Sequence, residues 1–322
     1  PKAGALFLTA IDPYGHELWR WTFPVNKLNQ QTEQLSPLSS RPTYTETEND
    51  LTVKANKRTF IFSKKDGQLK GVSVDNRKIN FANGPRFIGA RRADRSLDQF
   101  YNHDDEKAKE KDRTYSEFPD AAVFTKLDVK EDGGNLVVTA NYKLGNLDKA
   151  QWTINPSGDL ALDYTYNFSG VVDLMGIRFD YPEDQVISKR WLGAGPYRVW
   201  QNRIHGTQYD VWENDYNDPI PGETFTYPEF KGYFGDVSWM NIQTKEGTIS
   251  LTNETPDTYI GVYQPRDGRD RLLYTLPESG ISVLNVIPPV RNKVNSTDLC
   301  GPSSQPKWVN GPQTGRVIFR FM

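Results

Sequence analysis

Residues 159–169, DLALDYTYNFS, alternate without a fault: Leu160, Leu162, Tyr164, Tyr166 and Phe168 fall on one face, and Asp159, Asp163 and Asn167 on the other. A period of two with one apolar face predicts a half-buried antiparallel strand. Further strand-like runs occur at 51–55, at 58–62 with Phe60 and Phe62 on one face, and at 135–144, 248–251 and 316–321. Between them lie KKDGQLKG (64–71), EDGGN (131–135) and NPSGD (155–159), each placing Gly where a hairpin needs a positive φ. Many short strands at this spacing predict an all-β sandwich or barrel.

The alternation lapses in two places. Residues 26–49, NKLNQQTEQLSPLSSRPTYTETEN, are polar, carry two prolines and show no apolar period, so they read as a linker. It leaves a short β piece over 1–25, in which Trp19, Trp21 and Phe23 alternate, and a large β domain over 50–322. The first piece is too small to hold a core and is expected to be the closing strands of an upstream sandwich. The second lapse, DDEKAKEK at 104–111, predicts a solvated surface loop or one or two exposed helical turns.

Composition narrows the function classes. The net charge of −2 gives no positive field for nucleic acid or anionic membrane, and no apolar run approaches the roughly 20 residues of a membrane-spanning helix. Neither nucleic acid nor membrane is an expected partner. Cys300 is the one cysteine, which excludes an intrachain disulfide and leaves the compartment open. There is no GxSxG elbow, P-loop, HExxH or Cys/His metal spacing. His16, His103 and His205 are scattered, and Asp215-Tyr216-Asn217-Asp218 lacks the Gly and distal Glu of an EF-hand loop, so no metal site or cofactor is expected within the chain.

The informative region is 191–239, where 12 of 49 residues are aromatic, about a quarter against 12% for the chain. Within it, 204–230 contains Asp210, Glu213, Asp215, Asp218, Glu223 and Glu229 and neither Lys nor Arg. Interleaved Tyr209, Trp212, Tyr216, Phe225, Tyr227 and Phe230 suit sugar recognition, in which a ring packs on the C–H face of a pyranose while carboxylates accept from its hydroxyls. The alternative is that the rings fill an inter-sheet core and the carboxylates cap turns around Pro219, Pro221 and Pro228.

The run RWLGAGPYRVWQNR (190–203), then YDVWENDY and YPEFKGYFGDVSWMNI, resembles the C-terminal domain of glycoside hydrolase family 2 β-galactosidases. In that family a WxGxGP…R stretch and a later PxENG-like turn lie in a large β-supersandwich of the galactose-mutarotase type. Trp191, Gly193, Gly195, Pro196 and Arg203 match the first motif, and Pro228 and Gly232 the second. FIFSKKDGQLKGVSVDNRKI with NGPRF resembles that domain's opening hairpins, and residues 3–25, ending in GHELWRWTFPV, resemble the closing strands of the preceding sandwich domain. Two places depart from the pattern. DLCGPSSQPKW replaces a GGDDSW-like loop, making Trp308 the nearest counterpart of its Trp. PEFKG puts Phe230 and Lys231 where Glu and Asn are expected, with Glu229 one position early.

The resemblance implies an antiparallel β-supersandwich that packs on an upstream catalytic barrel of the same polypeptide. The carboxylate pair of a retaining glycosidase belongs to that barrel, so no catalytic residue is expected here. It leaves room for a metal ion only in the full-length enzyme. Glu229, Trp308, Arg203, Trp212 and Tyr227 are the candidates for contact with a β-galactoside ligand, while Trp191, Gly193, Gly195, Pro196 and Gly232 are expected to be structural. Gly193 and Gly195 are read as a sharp bend with Pro196 fixing its exit, placing Arg198 or Arg203 at an edge. For these two Arg, pairing with the acidic 204–230 segment is the alternative to substrate contact. Trp200 and Trp212 are core rings or interdomain anchors. Two other classes remain: a freestanding carbohydrate-binding module, and an aldose epimerase or lyase using His103, His205 and Glu229.

Overall fold

The computed structural model describes residues 5–24, 40–92, 115–215, 232–263, 276–290 and 301–322. The charge run at 104–111 lies outside the described residues. Among them every sheet pairing is antiparallel and no α-helix occurs, so no helix is long and apolar enough to cross a membrane.

Strands β1 (Ala5–Ile11) and β2 (Glu17–Pro24) form a two-stranded sheet of their own, with β2 lying against β16 (Gln208–Asp215). The next group comprises β3 (Thr43–Glu46), β4 (Asp50–Ala55), β5 (Arg58–Ser63), β6 (Leu69–Val74), β7 (Arg77–Ile79), β8 (Ala82–Arg92) and β9 (Tyr115–Glu117). With β14 (Leu174–Asp180), β19 (Tyr259–Val262) and β20 (Ile281–Val286) they build a ten-stranded sheet. The facing nine-stranded sheet takes β10 (Val123–Asp132), β11 (Asn135–Lys143), β12 (Leu147–Ile154), β13 (Leu160–Val172), β15 (Val186–Gly195), β16 (Gln208–Asp215), β17 (Trp239–Thr244), β18 (Gly247–Asn253) and β21 (Lys307–Phe321), in the order β10-β11-β12-β13-β21-β18-β17-β15-β16. The architecture is the expected all-β supersandwich.

The predicted strands at 51–55, 58–62, 135–144, 159–169, 248–251 and 316–321 correspond to β4, β5, β11, β13, β18 and β21. The turn glycines Gly67, Gly133, Gly134 and Gly158 all have positive φ. Residues 43–46, read from the sequence as linker, are β3 instead. All four of its side chains are exposed, so the strand carries no apolar period, and backbone pairing with β4 places it at the sheet edge.

The inward-facing residues of the two sheets interlock. Phe81, just before β8, and Phe179 of β14 meet Phe319 of the other sheet at ring-centroid distances of 5.0 and 5.3 Å, and Trp152 packs on Phe62 at 5.9 Å. A second apolar cluster lies on the far face of the ten-stranded sheet. There Ile88, Ala90, Leu174 and Leu284 point away from the main core and are covered by Val199, Trp200, Tyr233, Ile287 and Val290. Covered on both faces, β14 is apolar nearly throughout, which hides it from a search for alternation.

The outer face of the nine-stranded sheet holds a two-pronged ion pair. Arg320 on β21 grips the Asp159 carboxylate with Nε and Nη2 at 2.6 and 2.8 Å. Burial raises the Asp159 pKa, but the Arg320 hydrogen bonds and charge outweigh it and hold the group below its ordinary value. Its stabilisation is therefore complete above the unfolded Asp value near 3.9 and is lost as pH falls through the depressed folded value. Asp159→Asn is expected to lower stability by roughly 2 kcal/mol at neutral pH. The deficit should shrink in denaturant titrations run below about pH 3.

Candidate functional site

The GAG of the RWLGAGP run is not a turn. Gly193 and Gly195 lie within β15, neither with positive φ, and the bend begins at Pro196 after a cis peptide bond. Their smallness serves close approach: a Cβ on Gly193 would lie 2.9 Å from the Gly235 carbonyl oxygen, and one on Gly195 would lie 2.4 Å from the Trp212 ring. Trp191, opposite Trp212 in the pairing of β15 with β16, is fully buried. It donates from Nε1 to the Ala194 carbonyl at 3.0 Å and meets Phe234 edge-on at 4.9 Å.

Past Pro196 the chain crosses to the second cluster. Val199 exchanges both backbone hydrogen bonds with Tyr233, at 2.7 and 2.8 Å, and Trp200 packs edge-on against Tyr233 at 5.8 Å. Gly232 makes this approach possible, because a Cβ there would sit 1.9 Å from the Val199 carbonyl oxygen. Trp200 is thus a core ring. Arg198, expected at an edge, is 2% exposed, its guanidinium 5.8 Å from the Phe234 centroid. Lys189, also buried, lies 5.9 Å from the same ring, so Phe234 carries two cations.

Of the five carbohydrate candidates, Glu229 and Tyr227 lie outside the described residues, as do His103 and most of the acidic 204–230 segment. Arg203 is exposed, its backbone tied to Trp200. Trp308 is 71% exposed, at the start of β21 opposite Val171. Trp212 is half-buried, and its Nε1 donates to the Gly193 and Gln208 carbonyls at 3.2 and 3.1 Å. With the N–H engaged, Trp212 has only ring surface to offer. Among the described residues no hydrogen bond or ring contact joins these three.

Two residues that sequence reasoning missed hold the region together. Gln201 Nε2 donates to the carbonyls of Ser303 and Gln305 at 2.8 and 2.7 Å. Asn202 Nδ2 donates to the Val290 carbonyl at 2.6 Å and the Ser304 hydroxyl at 3.1 Å, while its Oδ1 accepts from Val290 N–H at 2.9 Å. These amides fasten the loop bearing Arg203 to the segment leading into Trp308.

The local electrostatics are mild. Burial raises the Tyr197 pKa, and the Arg203 charge partly offsets it. Asp236 is raised first by burial and then by the Asp257 carboxylate. No group of three His, Cys, Asp or Glu with metal-holding geometry occurs among the described residues. The described side chains include an exposed indole at Trp308, a half-buried ring at Trp212 and an exposed guanidinium at Arg203.

Residues 54–287 match the model of the family described as beta galactosidase small chain. No curated protein matches the chain. Among solved structures, galactose 1-epimerase from Lactobacillus acidophilus NCFM is similar over 88% of this chain and 99% of that one, at 10% identity and a TM-score of 0.44. The GalM/aldose epimerase homologue from C. elegans is similar over 87% and 99%, at 7% identity and a TM-score of 0.35. Nothing about activity follows from either likeness.

Proposed function

Since this chain belongs to the beta galactosidase small chain family, we propose that it is the non-catalytic C-terminal part of a glycoside hydrolase family 2 β-galactosidase. In this reading it packs on the catalytic barrel of the same polypeptide and presents side chains to a β-galactoside at the pocket rim. The family match carries the reading, since it spans most of the two-sheet body. A retaining glycosidase sets two carboxylates about 5 Å apart, and in this family they stand on a β/α barrel. The described antiparallel sheets support a helper role beside such a barrel.

The β1–β2 hairpin supports an upstream sandwich domain. Leu6, Leu8, Trp19, Trp21 and Phe23 share one face of it, and all are exposed. An apolar face of this kind is what a closing hairpin buries against the rest of its own sheet. We take residues 1–25 as those closing strands, residues from 26 up to β3 as the linker, and the remainder as the supersandwich.

At the rim, Trp308 is the ring for the C–H face of a sugar and Arg203 a donor to its hydroxyls, with Gln201 and Asn202 as positioning residues. Calorimetric titration with lactose is expected to show saturable binding that Trp308→Ala weakens roughly five- to tenfold. Because Trp308 is exposed, its folding stability should change by less than about 0.5 kcal/mol. No binding, or an affinity that neither Trp308→Ala nor Arg203→Ala alters, would remove this rim from carbohydrate contact.

A further inference from the structure

The two large sheets end in the edge strands β10 and β16 on one and β3 and β19 on the other. Strands β3 and β19 are four residues long, and β16 has β2 beside it. Strand β10 runs for ten residues without Pro or Gly and, among the described residues, pairs with β11 on one side alone. From Lys126 to Asp132 that pairing is unbroken. A long regular edge of this kind is a template for another strand.

The turn at the end of β10 decides which backbone groups face outward. Gly133 and Gly134 have φ of +58° and +89° and make a two-residue hairpin turn closed by Asp132 and Asn135. The closing pair of such a turn is hydrogen-bonded, and bonded and non-bonded pairs alternate from there along the ladder. Asp132, Lys130, Asp128 and Lys126 therefore direct their N–H and C=O groups to β11, while those of Leu127, Val129 and Glu131 point to the open edge.

Lys126, Asp128, Lys130 and Asp132 alternate in sign along the solvent face, all exposed, each Lys beside the Asp two residues on at 2.7 and 3.7 Å. Lys alone on an edge repels a second strand, but alternating signs at this spacing complement themselves. Laid antiparallel on a second copy with Val129 opposite Val129, the strand sets Lys126 opposite Asp132 and Asp128 opposite Lys130. These contacts fall at non-hydrogen-bonded positions, where facing side chains come closest. In the same register Leu127, Val129 and Glu131 exchange backbone hydrogen bonds with Glu131, Val129 and Leu127 of the second copy. A centre at Asp128 or Lys130 opposes like charges, and one at Leu127 or Glu131 leaves half of the charges without an opposite.

We infer that β10 is a dimerisation edge, at which two copies of this chain join their nine-stranded sheets antiparallel about a twofold axis at Val129. The contact is isologous, so each copy offers the same residues to the other. Pairing through one strand buries less than a standard interface, which makes the dimer weak and reversible. The charges set its register more than its strength, because exposed pairs contribute little each.

Sedimentation equilibrium of the whole chain, from low to high micromolar concentration, is expected to show a reversible monomer–dimer equilibrium that added salt weakens. Asp128→Lys opposes like charges twice in each dimer and should weaken association about tenfold. Adding Lys130→Asp to that variant restores opposite charges at both places and should recover most of the affinity. Val129→Pro removes an N–H that faces the open edge while sparing the ladder to β11, so it should abolish the dimer and leave the circular dichroism of the fold unchanged. Hydrogen exchange over 127–131 should slow as concentration rises. The inference is overturned if the chain stays monomeric, if the double variant associates no better than Asp128→Lys alone, or if association survives both Asp128→Lys and Val129→Pro. The last result would put the contact elsewhere, as on the exposed apolar face of the β1–β2 hairpin.

Discussion

Trp191→Ala is expected to lower the free energy of unfolding by about 3–5 kcal/mol, the range for emptying a fully buried large aromatic site. Three things are lost together: the ring's volume in the main core, its edge-on contact with Phe234, and the hydrogen bond from Nε1 to the Ala194 carbonyl. The cavity would open beneath the two cations that Phe234 carries, Lys189 and Arg198. Urea denaturation followed by far-ultraviolet circular dichroism measures the change directly. Trp191→Phe should recover part of the loss, because it keeps a ring in the site without the N–H. A loss below about 1 kcal/mol would mean that the site collapses around the smaller residue and that β15 is not anchored there.

Gly232→Ala is the second large effect, with an expected loss of more than about 3 kcal/mol, beyond ordinary overpacking. The added methyl would meet a backbone carbonyl oxygen at 1.9 Å, and no side-chain rotation relieves that contact. Relief requires moving Val199, which breaks the two hydrogen bonds to Tyr233 and lifts Trp200 from the second cluster. Gly235→Ala is the control, since its methyl would approach the Val199 side chain at 3.2 Å and needs a shift of only a few tenths of an ångström. Equal effects at the two positions, read from thermal midpoints, would show that the 199–233 bridge yields easily.

Where one face of a strand was buried and the other wet, the sequence was readable. β13 kept its alternation because Asp163 and Asn167 face outward while Leu162, Tyr164 and Tyr166 fill the core. Alternation failed where both faces share one environment, as at exposed β3 and twice-covered β14. The GAGP motif was recognisable, but its geometry was not. A glycine needed for positive φ and one needed for contact with a distant carbonyl look the same in a sequence, and Gly193 meets Gly235 across the fold. Gln201 and Asn202 escaped for a related reason. Amides after a turn resemble solvated residues, and their partners at 288–290 and 303–305 are brought near only by the second cluster. Trp308 was named from the motif alone, and the structure makes it an exposed ring at the start of β21.

The proposed helper role, in which the chain assists a glycosidase without performing hydrolysis itself, is tested by assaying the purified chain with a nitrophenyl β-galactoside, with Glu229→Gln prepared in parallel. No turnover above buffer is expected from either protein. Turnover by the parent chain that Glu229→Gln abolishes would place a working carboxylate inside this domain and rule that role out.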